Sequence, residues 1–126
     1  MESRISLQYL AGFIDGEGCF TITPRLLPLL SIGQRDPTVL HRIKQFVGAG
    51  HVSGVTTRNL WRYAITGQNA INLTGNLIPY LVVKREEAEL FITVRMIGSG
   101  RPMNSLERKQ RENVRRMLQE LKHERV

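Results

Sequence analysis

Residues 10–18 read Leu-Ala-Gly-Phe-Ile-Asp-Gly-Glu-Gly, two acids set among three glycines. The chemistry open to them is that of oxygen ligands. A carboxylate suits a hard divalent cation such as Mg²⁺, which keeps several waters and accepts phosphate oxygens of a substrate as further ligands. Glu17 stands where an apolar helical period beginning at Ile5 runs out against Gly16 and Gly18. There it faces the negative end of a helix dipole, a placement unfavourable by about 0.3–1 kcal/mol at an exposed site. Taken alone, a Glu in such a place is ordinarily a solvated surface group, and its glycine neighbours weigh the other way. Gly12 and Gly16 lie four apart, on one helical face, and small residues at that spacing let two helix backbones approach closely. The approaching helix is either a neighbour in the same chain or a second copy. If two copies pair about a two-fold axis, two Glu17 carboxylates come together, and a shared cation would relieve both penalties.

The elements that must position these residues follow from periodicity and punctuation. Ile5, Leu7, Leu10, Ala11, Phe13 and Ile14 have helical spacing up to Gly18. Alternating apolar and polar residues over 19–23 and 29–34 predict a hairpin. Asp36-Pro37 predicts a helix start with Asp36 as cap, and Val39, Leu40, Ile43, Phe46 and Val47 carry that helix to Gly48. Residues 51–55 and 60–66 predict a second hairpin, and 69–77, 84–97 and 105–125 read as helices, Pro79 marking a boundary. The last helix is charged, with a narrow stripe of Leu106, Val114, Met117, Leu118 and Leu121. The expected fold class is α+β, an αββαββα unit over about residues 5–97 with a helical extension over about 104–125, all in a single domain spanning 1–126.

Eighteen Lys and Arg against 11 Asp and Glu give 126 residues a formal net charge of +7. That balance favours a polyanionic partner, nucleic acid before an anionic membrane surface. One cysteine excludes a disulfide scaffold and a Cys-ligated zinc module, and suits a reducing compartment. His41, His51 and His123 form no ligand pattern. No apolar run approaches the ~20 residues needed to span a bilayer, so an intracellular protein without membrane contact is expected. Each hairpin has helices as apolar cover for one face only, which leaves an open face of Thr, Ser, Arg and His as a candidate nucleic-acid surface.

Residues 10–18 resemble the signature of the LAGLIDADG homing endonucleases, with identity at six of nine positions. At ordinary residue frequencies such agreement arises by chance in roughly one chain in a thousand of this length. The resemblance implies a saddle-shaped αββαββα fold whose antiparallel sheet lies on double-stranded DNA. It also implies a subunit interface formed by the motif helices, placing Tyr9, Gly12, Phe13 and Gly16 there. One motif per chain is similar to the homodimeric branch, whose members cut long, pseudo-palindromic targets and leave short 3′ overhangs; intron-encoded members are common. By matching context the resemblance assigns catalysis to Glu17, to Gln34 as a group contacting the attacking water, and to Lys84, which follows a Pro-aromatic-Leu-x-x-Lys pattern at Pro79-Tyr80-Leu81. Glu17 and the Gly16 carbonyl would hold Mg²⁺. Asp15 is structural in the family.

Strand alternation then names a DNA-facing set. Burying Phe20, Ile22, Leu30 and Ile32 turns out Thr21, Thr23, Ser31 and Gly33, with Arg25 and Arg35 continuing the lines. Burying Val52, Trp61, Tyr63 and Ile65 turns out His51, Ser53 and Arg62, with Arg58 at the turn. A one-residue slip would reverse the whole set. Mixed charges on the last helix read as a solvated face or as phosphate contacts at the DNA flanks. A non-cleaving nucleic-acid-binding protein, such as a maturase acting on intron RNA, is the alternative; Glu17, Gln34 and Lys84 together favour the nuclease.

Overall fold

A computed structural model describes residues 4–55, 59–98 and 102–125. Helix α1 (Leu7–Glu17) leads into strands β1 (Gly18–Ile22) and β2 (Pro28–Gln34); α2 (Thr38–Val47) leads into β3 (His51–Val55) and β4 (Leu60–Thr66). Then come α3 (Gly67–Leu77), a 3-10 turn at Ile78–Tyr80, α4 (Arg85–Ile92), a second such turn at Thr93–Met96, and α5 (Ser105–Arg125). The αββαββα order stands. The expected helix over 84–97 is divided, its last turn tightening to 3-10, and α3 starts two residues earlier than expected.

The four strands form one antiparallel sheet in the order β1-β2-β4-β3. The second strands of the two hairpins therefore pair at its centre. Phe20, Ile22, Leu30, Ile32, Tyr63 and Ile65 are buried against the helices together with Leu10, Ile14, Leu40, Ile43, Ala70, Leu77 and Phe91. The rings of Phe20 and Phe91 meet at 5.1 Å between centroids, tilted by 55°. Parity is the one the alternation predicts, so Thr21, Ser31, Gly33, His51, Ser53 and Arg62 lie on the opposite face.

Two local expectations need correction. The first bond of α2 runs from the His41 amide to the Pro37 carbonyl, and Asp36 Oδ1 accepts from the Thr38 amide at 2.9 Å. Pro37 thus takes the cap position, and Asp36 closes an Asx turn just before it. That backbone bond holds the Asp36 carboxyl below the usual carboxylate range. In α5, Leu106 and Met117 are exposed, and the buried positions are Val114, Leu118 and Arg111. Arg111 donates to the carbonyls of Leu26 (2.8 Å) and Ile97 (2.7 and 2.9 Å), tying the β1–β2 turn to the end of the α4 segment. Burial pushes its pKa down, opposed by nearby Glu107.

The helix–hairpin junction at β3 depends on a tyrosine. Tyr63 is fully buried and donates through its hydroxyl to the Ala49 carbonyl at 2.7 Å. Gly50, at φ +103°, lies so close that an added Cβ would stand 2.5 Å from Tyr63 Cε1. Gly50→Ala should therefore destabilise the protein by about 2 kcal/mol or more, through both the clash and the left-handed backbone. Burial also raises the Tyr63 pKa to about 12. A folded-state value above the unfolded 10 means that stability is fully present below pH 10 and declines between about pH 10 and 12. Urea unfolding across that range should show a decline that Tyr63→Phe reduces.

Candidate active site and nucleic-acid interface

The end of α1 is fixed by a reciprocal exchange with the segment that opens α4. Asp15 Oδ2 accepts from the Val82 amide at 2.9 Å and Oδ1 from the Lys84 amide at 3.0 Å. Lys84 is the N-cap of α4, so the Asp15 carboxylate lies at that helix's positive end. In return, the buried Lys84 ammonium donates to the carbonyls of Ile14 at 3.0 Å and Asp15 at 2.9 Å, at the negative end of α1. The structure thus gives Asp15 a positioning task. It also places the Lys84 charge at the end of the helix from which Glu17 projects.

Glu17 is the last residue of α1 and exposed, and among the described residues its carboxylate makes no hydrogen bond or ion pair. Gly18 makes the sharp passage into β1 possible, since a Cβ there would lie 2.7 Å from Ile14 Cγ2 and 2.9 Å from the Ile14 carbonyl oxygen. Gln34 ends β2. Because Gly18 stands opposite Ile32, Gln34 reaches two residues past the start of β1, to the level of the end of α1. Gln34 and the end of α1, which carries Glu17 and binds the Lys84 ammonium, thus lie at the same end of the sheet.

Among the described residues the glycine stripe has no occupant. A Cβ at Gly12 or at Gly16 would meet nothing within 4 Å. No helix of the described residues makes the tight intramolecular contact that was the alternative, and among them the face between the glycines is open. Tyr9 on the same side is 48% exposed, Phe13 is half-buried, and their rings lie 6.1 Å apart. Among the described residues no three His, Cys, Asp or Glu side chains cluster to hold a metal ion. An exposed, unpaired carboxylate beside a helix-end carbonyl fits a hard cation whose remaining ligands come from elsewhere.

The outward face is ordered by the strand register. Arg62 lies between Gly33 and Ser53, and Ala64 between Ser31 and His51. Thr21 and Thr66 flank Leu29. Thr23 lies just past β1, where its Oγ1 accepts from the Leu27 amide at 3.1 Å to close the turn, and Arg25 is exposed at the tip. Arg35 is exposed just beyond β2. Arg58 lies outside the described residues. Lys122, one of the last-helix charges expected to be solvated or to contact phosphates at the DNA flanks, instead reaches Cys19 and Thr21 with its ammonium from α5. Its spacing from Leu118, four residues, was the available signal.

A family model described as LAGLIDADG endonuclease matches residues 10–85. The chain belongs to the LAGLIDADG endonuclease family. Solved structures of the same fold include the homing endonuclease I-CvuI in complex with the I-CreI target, 19% identical with a TM-score of 0.78 over 91% of this chain and 80% of that one. The archaeal intron-encoded homing endonuclease I-Vdi141I, complexed with DNA, is 22% identical with a TM-score of 0.77 over 91% of this chain and 82% of that one. The homing endonuclease I-TnaI is 18% identical, with a TM-score of 0.72 over 98% of this chain and 100% of that one. None of the curated proteins compared with this chain matches it. These likenesses establish the fold, which among the described residues is an α+β arrangement of a four-stranded antiparallel sheet and five α-helices. No helix among the described residues is long and apolar enough to cross a membrane.

The two motif acids should separate in stability measurements. Asp15→Ala leaves the Val82 and Lys84 amides without their charged acceptor and should cost about 2 kcal/mol in urea unfolding. Glu17→Gln breaks no hydrogen bond or ion pair among the described residues and should stay within about 0.5 kcal/mol of wild type.

Proposed function

We propose that this LAGLIDADG family member is a site-specific double-strand DNA endonuclease that acts as a homodimer with divalent metal. The observation that carries this reading is the pairing of an uncompensated Glu17 with an open Gly12–Gly16 face on one helix. A second copy of α1 fits that face. It would bring a second Glu17 to the two-fold axis, supplying one acid for each DNA strand, and the matching target is roughly palindromic. Twice the formal +7 of one chain suits a duplex polyanion. I-CvuI complexes with DNA targets formed in the presence of Mg and of Ca support a role for divalent ions.

Hydrolysis of a phosphodiester needs an in-line water, stabilisation of charge on phosphorus and protonation of the leaving oxygen. Glu17 and the Gly16 carbonyl would hold Mg²⁺, which when bound polarises a phosphoryl oxygen and acidifies water. Gln34, at the level of the end of α1, would orient the attacking water. Lys84 offsets negative charge at the same helix end, where its ammonium already neutralises the α1 carbonyls. Thr21, Thr23, Arg25, Ser31, Gly33, Arg35, His51, Ser53, Arg58 and Arg62 would make the base and phosphate contacts. Arg62, at the centre of a row flanked by Gly33 and Ser53, suits bidentate contact with guanine. Short 3′ overhangs and an intron-encoded origin complete the proposal.

A plasmid pool of randomised sites, incubated with protein and Mg²⁺, should yield linearised molecules sharing a near-palindromic sequence. Glu17→Gln should lose cutting by at least about a hundredfold while retaining binding. Binding without cutting by the wild-type chain would favour the non-cleaving alternative. Sedimentation should give a dimer, and Gly12→Leu should dissociate it, because a leucine occupies the space that the second helix requires; a monomeric wild type would contradict the paired site.

A further inference from the structure

Helix α5 turns one stripe toward the rest of the protein, made of Arg111, Val114, Arg115, Leu118 and Lys122 at intervals of three and four residues. Val114 and Leu118 are buried, and Arg111 is committed to backbone carbonyls. Arg115 donates to the Ile22 carbonyl at 3.2 Å, at the outer edge of the sheet, and pairs with Glu112 at 3.1 Å. These groups tie the helix along β1, the edge strand, and so protect it from pairing with another chain.

Lys122 is used differently. Its half-buried ammonium lies 3.3 Å from Cys19 Sγ and 3.3 Å from Thr21 Oγ1, and among the described residues no carboxylate pairs with it. These two contacts hold the ammonium in place, and neither is made by a carboxylate. Both residues belong to the outward face of β1. Cys19 is two residues beyond Glu17, a separation of about 7 Å along extended chain. The helix therefore carries a fixed positive charge around the sheet edge to the outward face, at the end of the sheet where Gln34 and the end of α1 lie.

We propose that Lys122 binds a phosphate of the DNA backbone beside the position of cutting. This rests on the endonuclease reading and adds to it a contact supplied by α5, placed next to the active site rather than at the flanks. A compact ammonium on a flexible stem suits a point contact with phosphate and does not read bases. Cys19 and Thr21 form its seat, so the Thr21 hydroxyl serves the lysine as well as any base it faces. Lys122 is a positioning residue that registers the duplex against Glu17.

The test measures binding of a labelled mixed-sequence DNA duplex over a range of NaCl concentrations. Lys122→Met should make the plot of log affinity against log salt shallower by about 0.9 per protomer, and Lys122→Arg should restore the slope. A lysine that only pins α5 would alter thermal unfolding and leave the slope unchanged, which overturns the proposal. Should Lys122→Met fail to fold, acetic anhydride labelling of the wild-type chain decides: DNA should protect Lys122 from acetylation, and equal labelling with and without DNA would overturn it. A wild type that binds no DNA would overturn the endonuclease reading as well, whereas an unchanged slope in a protein that does bind overturns this proposal alone.

Discussion

Two opposite charges cross between α1 and the start of α4, and the rest of the site is arranged around that exchange. The Asp15 carboxylate takes the Val82 and Lys84 amides at the positive end of α4; the Lys84 ammonium takes the last carbonyls of α1 at its negative end. Each charge lies at the helix terminus that favours it. Two carbonyls in the last turn of α1 and the cap amide of α4 are thereby paired from inside the chain. The consequence is a fixed direction for the last turn of α1 and a carboxylate, Glu17, that the fold itself does not use. Since Asp15 and Glu17 are only two residues apart, one faces the protein while the other faces solvent. A family motif with two acids thus divides the labour between holding and, as proposed, ligating.

The sheet extends the same logic outward. Helices cover one face, and the register of β1, β2, β4 and β3 lines polar side chains along the other, with Arg62 near its middle. An antiparallel sheet can bear one wet face without cost to the core. Its exposed edge at β1 is closed by α5 through Arg115, while Arg111 anchors that helix to the carbonyls of Leu26 and Ile97. In the proposed dimer the remaining uncovered elements, the Gly12–Gly16 face and the outward sheet, would be occupied by a second copy and by DNA. The fold is thus complete as a globule while its proposed chemistry waits on two further molecules.

Much of this was legible in the residues. Period-two alternation fixed which of Phe20, Thr21, Leu30 and Ser31 turns inward, because a buried face tolerates no slip of register. Glycines at 12, 16 and 18 marked the helix and its end. Local patterns could not reveal contacts between groups far apart in sequence: Lys84 meets Ile14 and Asp15, and Lys122 meets Cys19, through tertiary packing. The charged face of α5 looked solvated for a related reason. Arg111 and Arg115 satisfy backbone carbonyls, and nothing in a helical charge pattern distinguishes a guanidinium in water from one bound to a distant peptide group. The break after Ile92 and the shift of the α2 cap from Asp36 to Pro37 are end effects, where hydrogen bonds of nearly equal quality compete.

The central claim is that the end of α1 is half of a metal site completed by a second copy and by DNA. Anomalous diffraction from crystals of the protein bound to its target DNA and soaked in Mn²⁺ tests it most directly. The account predicts an anomalous peak bound by a Glu17 carboxylate and a DNA phosphate, with the Glu17 of a second protomer across a two-fold axis between paired α1 helices. Metal bound away from Glu17, or α1 helices that do not pair with one another, would contradict it.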